Sequence, residues 1–493
     1  MIFVIIVGLL VISLLIAFDI SKPRGYPPGP RWLPVLGNYL LLCKQLRQFG
    51  FHHLVWANLA DQYGPVVGLR LGRDRIVIVS GYEAIREVVS REEFDGRPDG
   101  FFFRLRAFGQ RLGVVFVDGP LWVEQRRFSL RHLRNFGYGK HGMEHQIAEE
   151  ASELVASLRQ QCNNDSAIIP MHQAFDICVL NSLWTMLAGQ RFALDDEQLK
   201  KLLNLVHASF RMLDMSGGLL NQMPFLSVIA PHQSGYADLV KYLHEMWDFL
   251  RETIHEHHRT LTPGVSRDLI DAFLHEMELH PDSTFTENQL ITVCLDLFMA
   301  GSETTSNTME YAILYMLLYP EVQRKIHEEL DAVVGRSRLP MFADRQRLCY
   351  VEAVIMEVQR RVSVAPVAVP HRATKDTMLM GHVIPQDTTV LISIWSLHMD
   401  VKHWGDPEAF RPERFLDAEG KIMQDDWFVP FGYGRRRCLG EILARKSLFL
   451  FFATLLHTFS LSVPADHPPP SPDGYDGITL SPKHFYAEFT PRF

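Results

Sequence analysis

The stretch "FGYGRRRCLG", residues 431–440, places one cysteine among three arginines and three glycines, and the following "EILARKSLFLFFATLL" is typical of a helix. Cys438 is therefore predicted at the entrance of a helix, where free N–H groups, the helix dipole and nearby cations favour a thiolate. One thiolate without a second sulfur or imidazole beside it cannot build a zinc or iron–sulfur site. It suffices as the only protein ligand of a haem iron, because the porphyrin supplies four ligands.

The composition is that of a globular protein. The chain has 493 residues, of which 47% are hydrophobic and 22% charged, so it can bury a large core. Its net charge of −8 argues against nucleic acid as a partner, since phosphate binding needs a basic surface. The six cysteines are scattered without a C-x-x-C pair, which suits a reducing compartment.

The N-terminus is strongly apolar. "IFVIIVGLLVISLLIAF", residues 2–18, contains no charged residue and would span roughly 25 Å as a helix, close to the ~27 Å of a thin bilayer. A cleaved signal peptide is the alternative, but no basic residue precedes the segment and no A-x-A-like site precedes Asp19. Lys22 and Arg24 follow the segment, so the positive-inside rule predicts that the rest of the chain is cytosolic.

These observations predict three regions: a transmembrane anchor at 1–20, a proline-rich hinge at 21–36 and one large domain at 37–493. An ordinary linker at the hinge would separate anchor and body equally well without fixing their angle. Within the large domain, "VVGLRL" and "RIVIVS" predict a hairpin at 66–71 and 75–80.

Helical periodicity dominates the remainder, with short strands expected near 377–393 and after 458. The predicted fold class is mainly α with a small β portion. The longest predicted helix begins at a capping box formed by Thr286 and Gln289 and ends at Tyr319. In its middle lies "AGSETT", where glycine and neighbouring hydroxyl residues are expected to weaken or bend the helix.

The cysteine loop carries a resemblance to a known family. It fits the pattern F-G-x-G-x-R-x-C-x-G at Phe431, Gly432, Gly434, Arg436, Cys438 and Gly440. This pattern resembles the haem-binding loop of cytochrome P-450 enzymes. The resemblance implies the cytochrome P-450 fold and monooxygenase activity. It also implies that the Cys438 thiolate holds haem b (iron protoporphyrin IX) and that Phe431 and Gly434 have roles in the haem-binding loop. A free cysteine in a basic turn is the competing interpretation.

Two further motifs match the family's structural cluster behind the haem. Glu357 and Arg360 form E-x-x-R, which by itself is equally typical of a solvated helix pair. Arg414 in "FRPERF" resembles the third member of the family's Glu-Arg-Arg cluster. The resemblance implies a buried charge network that fixes the cysteine loop.

Four residues match the family's contacts to the haem propionates: Trp122 and Arg126 in W-x-x-x-R, together with His371 and Arg436. Arginine suits this role because its planar fork binds carboxylates in pairs of hydrogen bonds. An exposed arginine on an amphipathic helix and a surface histidine would have the same sequence appearance. Where the family has one more arginine, before "GVVF", this chain has Gln110.

Glu303 and Thr304, within "AGSETT", match the family's acid–alcohol pair. Reductive cleavage of dioxygen needs protons, and a carboxylate and a hydroxyl at a weak point of the helix could relay them. The alternative for Thr304 is a hydroxyl bonded to a preceding carbonyl.

The segments that the family uses for substrate recognition are largely apolar. They predict a pocket lined by Phe103, Phe108, Phe210, Leu297, Phe298, Ala300, Val364 and Val367. Such a lining suits a hydrophobic, uncharged ligand. Any of these residues could equally belong to the core.

The resemblance also implies partners. Basic residues near the cysteine loop predict docking of an acidic electron donor: Arg127, Arg131, Arg134, Arg435 and Arg437. Microsomal members use NADPH–cytochrome P-450 reductase, with cytochrome b5 as an additional donor, so NADPH and flavins would act only through the partner. O2, a hydrophobic small molecule and the endoplasmic reticulum membrane complete the expected set. A solvated charged face is the alternative.

"RPDGFFFRLRAFGQRLGVVF" (97–116) is most similar to insect members of the microsomal clan. A lipid-like substrate, a xenobiotic and an ecdysteroid all remain open. Two other classes are weighed: a haem-thiolate isomerase that rearranges a peroxide without reductase, and a haem protein that only senses a ligand. The acid–alcohol pair favours the monooxygenase, since protons are needed only when oxygen is cleaved reductively.

Overall fold

A computed structural model describes residues 3, 7, 14, 17–163, 165–212 and 218–493 of the chain. The anchor predicted at 1–20 falls largely outside these residues and stays a prediction. Within the described part of the chain, no helix combines the length and the apolar character needed to cross a bilayer.

Helices form the bulk of the fold. The α-helices are α1 (Tyr39–Phe49), α2 (His52–Tyr63), α3 (Tyr82–Val89), α4 (Phe101–Leu105), α5 (Gly119–Asn135), α6 (His141–Cys162), α7 (Asp176–Ala188), α8 (Glu197–Met212), α9 (Gly218–Gln222), α10 (Leu226–Ile229), α11 (Tyr236–Thr260), α12 (Leu269–Leu279), α13 (Glu287–Leu318), α14 (Pro320–Val333), α15 (Cys349–Val362), α16 (Ile394–His398), α17 (Val401–Trp404) and α18 (Glu441–Thr458). Short 3₁₀ turns lie at Glu92–Phe94, Phe342–Gln346, Pro412–Phe415 and Gly434–Arg436.

The strands are short and belong to small sheets. They are β1 (Val66–Leu71), β2 (Asp74–Val79), β3 (Ala167–Pro170), β4 (His371–Arg372), β5 (Thr377–Leu379), β6 (His382–Ile384), β7 (Thr389–Ile392), β8 (Phe459–Ser462), β9 (Gly474–Tyr475), β10 (Ser481–Pro482) and β11 (Tyr486–Pro491). The sheets have the orders β1-β2-β7-β4, β3-β11-β8, β5-β6 and β9-β10. The predicted class, mainly α with a small β portion, is confirmed.

The predicted hairpin is confirmed as β1 and β2, which pair antiparallel with Val66 opposite Val79. β7 adds to β2 in parallel, with Ile76 opposite Thr389. Every residue of β1 is buried, because the helices α1 and α2 cover one face of this sheet and the chain N-terminal to α1 reaches the other.

The proline-rich segment is docked on this sheet. The Tyr26 hydroxyl donates to the carbonyl of Leu69 at 3.2 Å, and the carbonyl of Pro28 accepts from the Gly68 N–H at 2.7 Å. A Cβ on Gly29 would lie 2.3 Å from the Gly68 carbonyl oxygen, so only glycine permits this approach. The segment is therefore held at a fixed orientation on the domain.

The central helix α13 runs for 32 residues, and the Thr286 hydroxyl caps it by accepting from the Gln289 N–H. The helix continues without interruption through "AGSETT", so the glycine and the hydroxyl residues do not break it. A Cβ on Gly301 would lie 2.5 Å from the Leu183 side chain. The glycine therefore serves the close packing of α13 against α7 rather than a break in the helix.

The core forms around α13 and α18. The α18 side chains of Phe449, Phe451 and Phe452 are among the largest fully buried groups. Because the entrance of α18 follows the cysteine loop directly, this buried helix fixes one end of the loop against the core.

Candidate active site

Cys438 lies between the 3₁₀ turn Gly434–Arg436 and the start of α18. Its backbone N–H donates to the carbonyl of Phe431 at 3.0 Å, which closes the loop. Gly434 has φ +69°, and a Cβ there would lie 2.5 Å from the Val89 carbonyl oxygen. Only glycine combines that conformation with that approach.

The thiol of Cys438 is exposed, yet desolvation by the surrounding protein raises its pKa. The backbone N–H of Gly440 and the Arg126 charge act in the opposite direction and do not offset the burial. The helix entrance and the nearby cation therefore act in the predicted direction, and burial opposes them. A coordinated metal ion would ionise the sulfur, because coordination deprotonates a thiol outright.

Arg436 and Trp122 lie together beside the loop. The Arg436 guanidinium carbon lies 3.9 Å from the centre of the Trp122 ring. Its Nε and Nη2 donate to the Asp95 carbonyl at 3.0 and 2.7 Å, whereas Nη1 is buried without a partner. Arg126, one helical turn after Trp122, lies 5.7 Å from the same ring and donates to the Arg437 carbonyl at 2.8 Å.

His371 lies close to this cluster, on β4. Its Nδ1 is 2.7 Å from the Phe94 carbonyl oxygen, and burial, reinforced by the charge of Arg97, lowers its pKa to about 3. The neutral ring therefore donates through Nδ1, and Nε2 can only accept. A contact with a carboxylate requires a second proton, which the charge of that carboxylate would favour.

Arg97 belongs to the cluster and was missed from the sequence. It is buried, and its Nη1 donates to the carbonyls of Val369 and Pro370 at 2.7 and 2.8 Å. The only local signal was its place before Pro98, which excludes a helix there. Gln110, the departure from the family pattern, is exposed.

The charges of this arginine cluster are only partly compensated: the carboxylates of Asp95 and Asp118 favour the charges of Arg97 and Arg436, but burial and mutual repulsion outweigh them. Burial, followed by the repulsion from Arg436, lowers the pKa of Arg97, and burial lowers the pKa of Arg436 to about 10. Arg126 repels both. Mutually repelling buried cations with an unpartnered nitrogen suit an anion. The propionates of a bound haem would meet that need and Cys438 would ligate its iron, so the donor set fits haem.

Glu303 and Thr304 lie on α13 and do not bond to each other. Thr304 Oγ1 donates to the carbonyl of Ala300, an exposed residue, at 3.0 Å. Glu303 is fully buried; its carboxylate pairs with Arg211 and accepts from the Thr479 hydroxyl at 2.8 Å. Glu303 therefore joins α13 to the end of α8 and to the C-terminal loop (476–480, between β9 and β10), and the predicted proton relay by Glu303 and Thr304 stays a prediction.

The structure brings Glu357, Arg360 and Arg414 together behind the loop. Arg360 donates to both Glu357 oxygens at 2.8 and 2.9 Å, and Arg414 Nε donates to Glu357 Oε1 at 3.0 Å. Glu357 and Arg360 are fully buried. The alternative of a solvated helix pair does not describe this geometry.

The predicted pocket residues do not share one environment. Those that are buried but keep 4–8% of their surface exposed are Phe103, Phe210, Leu297, Val364 and Val367. Phe298 has no exposed surface and packs edge-on against Trp184 and Phe249 at 5.5 and 5.9 Å. It is a core residue, so its assignment to the pocket is wrong.

Phe108 also differs from the expectation. Its ring stacks on Trp247 of α11 at 4.3 Å, and the guanidinium carbon of Arg251 lies 5.4 Å from its ring centre.

Val364 and Phe210 are in contact with the C-terminal loop. Their carbonyls accept from the backbone N–H groups of Leu480 and Ile478. Two predicted pocket residues are therefore tied to the loop that also holds Glu303.

The basic residues divide into two groups. Arg127, Arg131 and Arg134 are exposed on α5. By contrast, Arg435 pairs with Glu92 at 2.8 Å, and Arg437 pairs with Glu441. The exposed face available to an acidic partner therefore comes mainly from α5.

Comparison with known proteins agrees with this geometry. The family model of cytochrome P-450 matches residues 27–489. The chain is 45% identical to farnesoate epoxidase of Bombyx mori, covering 98% of each chain. It is 41% identical to probable cytochrome P-450 305a1 of Drosophila melanogaster over 99% of this chain and 98% of that one. It is 36% identical to cytochrome P-450 2A13 of Homo sapiens over 98% and 97%.

A cysteine loop at the entrance of a buried helix, arginines whose charges are only partly compensated and a family match over residues 27–489 point the same way. Members of this family use haem with thiolate ligation, O2, a redox partner and a small-molecule substrate. The chain belongs to the cytochrome P-450 family and is a haem-thiolate monooxygenase.

Proposed function

We propose that this monooxygenase epoxidises methyl farnesoate, a neutral sesquiterpene ester, in juvenile hormone synthesis. The observation that carries the proposal is the 45% identity over nearly the full length to a relative named farnesoate epoxidase. The reaction adds one atom of O2 across a terminal alkene and reduces the other to water with two electrons and two protons.

The lining of the candidate pocket supports an apolar substrate. Phe103, Phe210 and Leu297 offer hydrocarbon surface, which favours a long isoprenoid chain over a charged ligand. On α13 the buried carboxylates Asp296 and Glu303 are paired with Arg106 and Arg211, so neither arginine is free to bind the carboxylate of a free acid. An ester needs no counter-ion, so the pocket suits the ester better than the free acid.

Each candidate site residue has a proposed role toward haem. Cys438 would ligate the iron, Arg436, Arg97 and Arg126 would bind the propionates, and Trp122 would pack beside them. Haem bound through a thiolate supplies the oxygen-activating chemistry. Glu357 with its two arginines would hold the loop.

Glu303 and Thr304 would govern proton supply. Because the Thr304 hydroxyl donates to Ala300 on the exposed side of α13, its oxygen can still accept from a water molecule there. Glu303 lies behind it, so proton exchange would require the carboxylate to leave Arg211 or to act through solvent.

Electrons would come from NADPH through cytochrome P-450 reductase, with cytochrome b5 as an additional donor. The exposed Arg127, Arg131 and Arg134 favour an acidic docking surface. An anchor at 1–20 would place the chain on the endoplasmic reticulum membrane, with the domain at 37–493 in the cytosol and the hinge at 21–36 setting its orientation.

The test is turnover by the reconstituted enzyme with reductase and NADPH. Methyl farnesoate, the free acid, an ecdysteroid and a generic xenobiotic are offered separately, and the product and the consumption of NADPH are measured. We expect tight coupling only with methyl farnesoate. Coupled oxidation of the ecdysteroid or of the xenobiotic instead would assign the chain to that activity, and turnover of a hydroperoxide without reductase would indicate an isomerase.

A further inference from the structure

His398 is the last residue of α16. It lies buried between the end of α15 and the segment that leads into the cysteine loop. Its side chain has no exposed surface. Nδ1 is 2.7 Å from the Ser363 hydroxyl oxygen, and the backbone N–H of Val429 donates to Nε2 at 3.0 Å. The imidazole therefore bridges the end of α15 and the beginning of the cysteine loop.

The direction of these hydrogen bonds is determined. A backbone N–H can only donate, so Nε2 of His398 is the acceptor and carries no proton. Burial and the nearby charge of Arg360 lower the pKa of His398 to about 3. The neutral ring therefore donates from Nδ1 to Ser363, whose hydroxyl in turn donates to the Arg360 carbonyl at 3.1 Å.

Both ends of this path are anchored. On one side, Arg360 Nη1 donates to the carbonyl of His398 at 2.7 Å, and the same guanidinium holds Glu357. On the other side, the Val429 carbonyl accepts from Gly432 at 3.0 Å. Two residues after Val429, the Phe431 carbonyl accepts from the Cys438 N–H, as described above.

We propose that His398 is a positioning residue for the cysteine ligand, because its single neutral tautomer links the buried Glu357–Arg360 pair to the backbone of Val429. The pair itself does not touch the cysteine loop through a side chain. The path through His398 explains how it fixes the position of Cys438. This inference concerns the haem ligand and does not depend on which substrate the enzyme oxidises.

A simple packing role is the alternative. The His398 ring lies 5.7 Å from the Phe428 ring at a tilt of 31°, and an aromatic ring of similar size would preserve that contact. Phenylalanine at 398 would leave the Val429 N–H and the Ser363 hydroxyl without their partner. Glutamine offers both a carbonyl acceptor and an N–H donor, so it can restore the path.

The test compares His398→Phe, His398→Gln and Ser363→Ala in the full chain loaded with haem. The first measurement is the Soret band of the reduced carbon monoxide complex, which reports thiolate ligation. The second is the rate at which haem is transferred to an excess of apomyoglobin. His457→Phe is the matched control, because His457 is equally buried but bonds to the carbonyl of Gly335, outside the path.

We expect His398→Phe to lose part of the thiolate-type Soret band and to release haem about tenfold faster, as for loss of a partner behind a metal ligand. His398→Gln should restore most of the thiolate-type Soret band and most of the slow haem release. Ser363→Ala should lie between the wild type and His398→Phe in both measurements. If His398→Phe matched His457→Phe in both measurements, the proposal would be overturned. Should His398→Phe fail to fold, Ser363→Ala decides: a wild-type spectrum and release rate would overturn it.

Discussion

The guanidinium of Arg436 lies over the indole of Trp122, with its carbon 3.9 Å from the ring centre, and leaves one buried nitrogen without a partner. The two residues come from segments more than 300 positions apart. Their contact places a half-buried cation in the cysteine loop, two residues before Cys438. An anionic group bound there would be stabilised both by the charge of Arg436 and by hydrogen bonds from it.

This contact predicts the effect of Arg436→Gln. The variant keeps a polar side chain but loses the charge, so haem binding should weaken by about 1–3 kcal/mol. Arg435→Gln is the control, because Arg435 is exposed and pairs with Glu92. Haem transfer to apomyoglobin measures both; equal rates for the two variants would contradict a propionate role for Arg436.

Cys438→Ser should abolish the thiolate-type Soret band of the reduced carbon monoxide complex. The hydroxyl cannot replace a thiolate as a strong donor to iron. Cys349→Ser, a change at a half-buried cysteine of α15, should leave the band unaltered. A band that persists in Cys438→Ser would mean that another residue ligates the iron.

Glu357→Gln should destabilise the protein severely. Arg360 and Arg414 would keep their buried charges without the carboxylate that compensates them, which costs about 3–5 kcal/mol. The control is Glu328→Gln, which removes an exposed i,i+4 pair with Arg324 and should cost about 0.3–0.5 kcal/mol. Chemical denaturation followed by circular dichroism compares them, and a similar loss in both would refute the buried network as a stabilising element.

Thr304→Ala should separate catalysis from stability. Its hydroxyl donates only to the Ala300 carbonyl, so its loss should shift the unfolding midpoint little while diverting electrons from product to peroxide. Thr308→Ala is matched, since that hydroxyl donates in the same way to the Thr304 carbonyl at 2.8 Å. The ratio of peroxide to epoxide should rise only in Thr304→Ala; a rise in both would indicate a general disturbance of α13.

His207 predicts a pH dependence of stability. Burial disfavours its charge, but the hydrogen bond to Asp176 at 2.6 Å and the nearby carboxylate of Glu303, 3.7 Å away, outweigh burial and raise its pKa from 6.5 to about 10. A group whose pKa is raised by folding stabilises the folded state fully at pH values below its pKa in the unfolded chain. This stabilisation is lost as the pH rises through its pKa in the folded state. The free energy of unfolding of the wild type relative to His207→Gln should therefore fall between about pH 6.5 and 10. A constant difference across that range would show that His207 is not charged in the folded protein.

Local chemistry made several elements predictable. The Thr286 cap, the alternating residues of the β1–β2 hairpin and the glycines of the cysteine loop each depend on neighbours within a few positions. The close contact of Gly301 with Leu183 was not predictable, because sequence spacing does not place these two residues side by side.

The sequence alone determined the mainly helical class, the entrance of α18 at the cysteine and the loop pattern that identifies a haem ligand, because short-range hydrogen bonding and backbone sterics specify them. Only the tertiary structure decided that Phe298 faces the core, that Arg97 is buried beside Arg436 and that Glu303 is paired with Arg211. Each of these results depends on which distant segments meet, and that is set by the packing of the whole chain rather than by any local pattern.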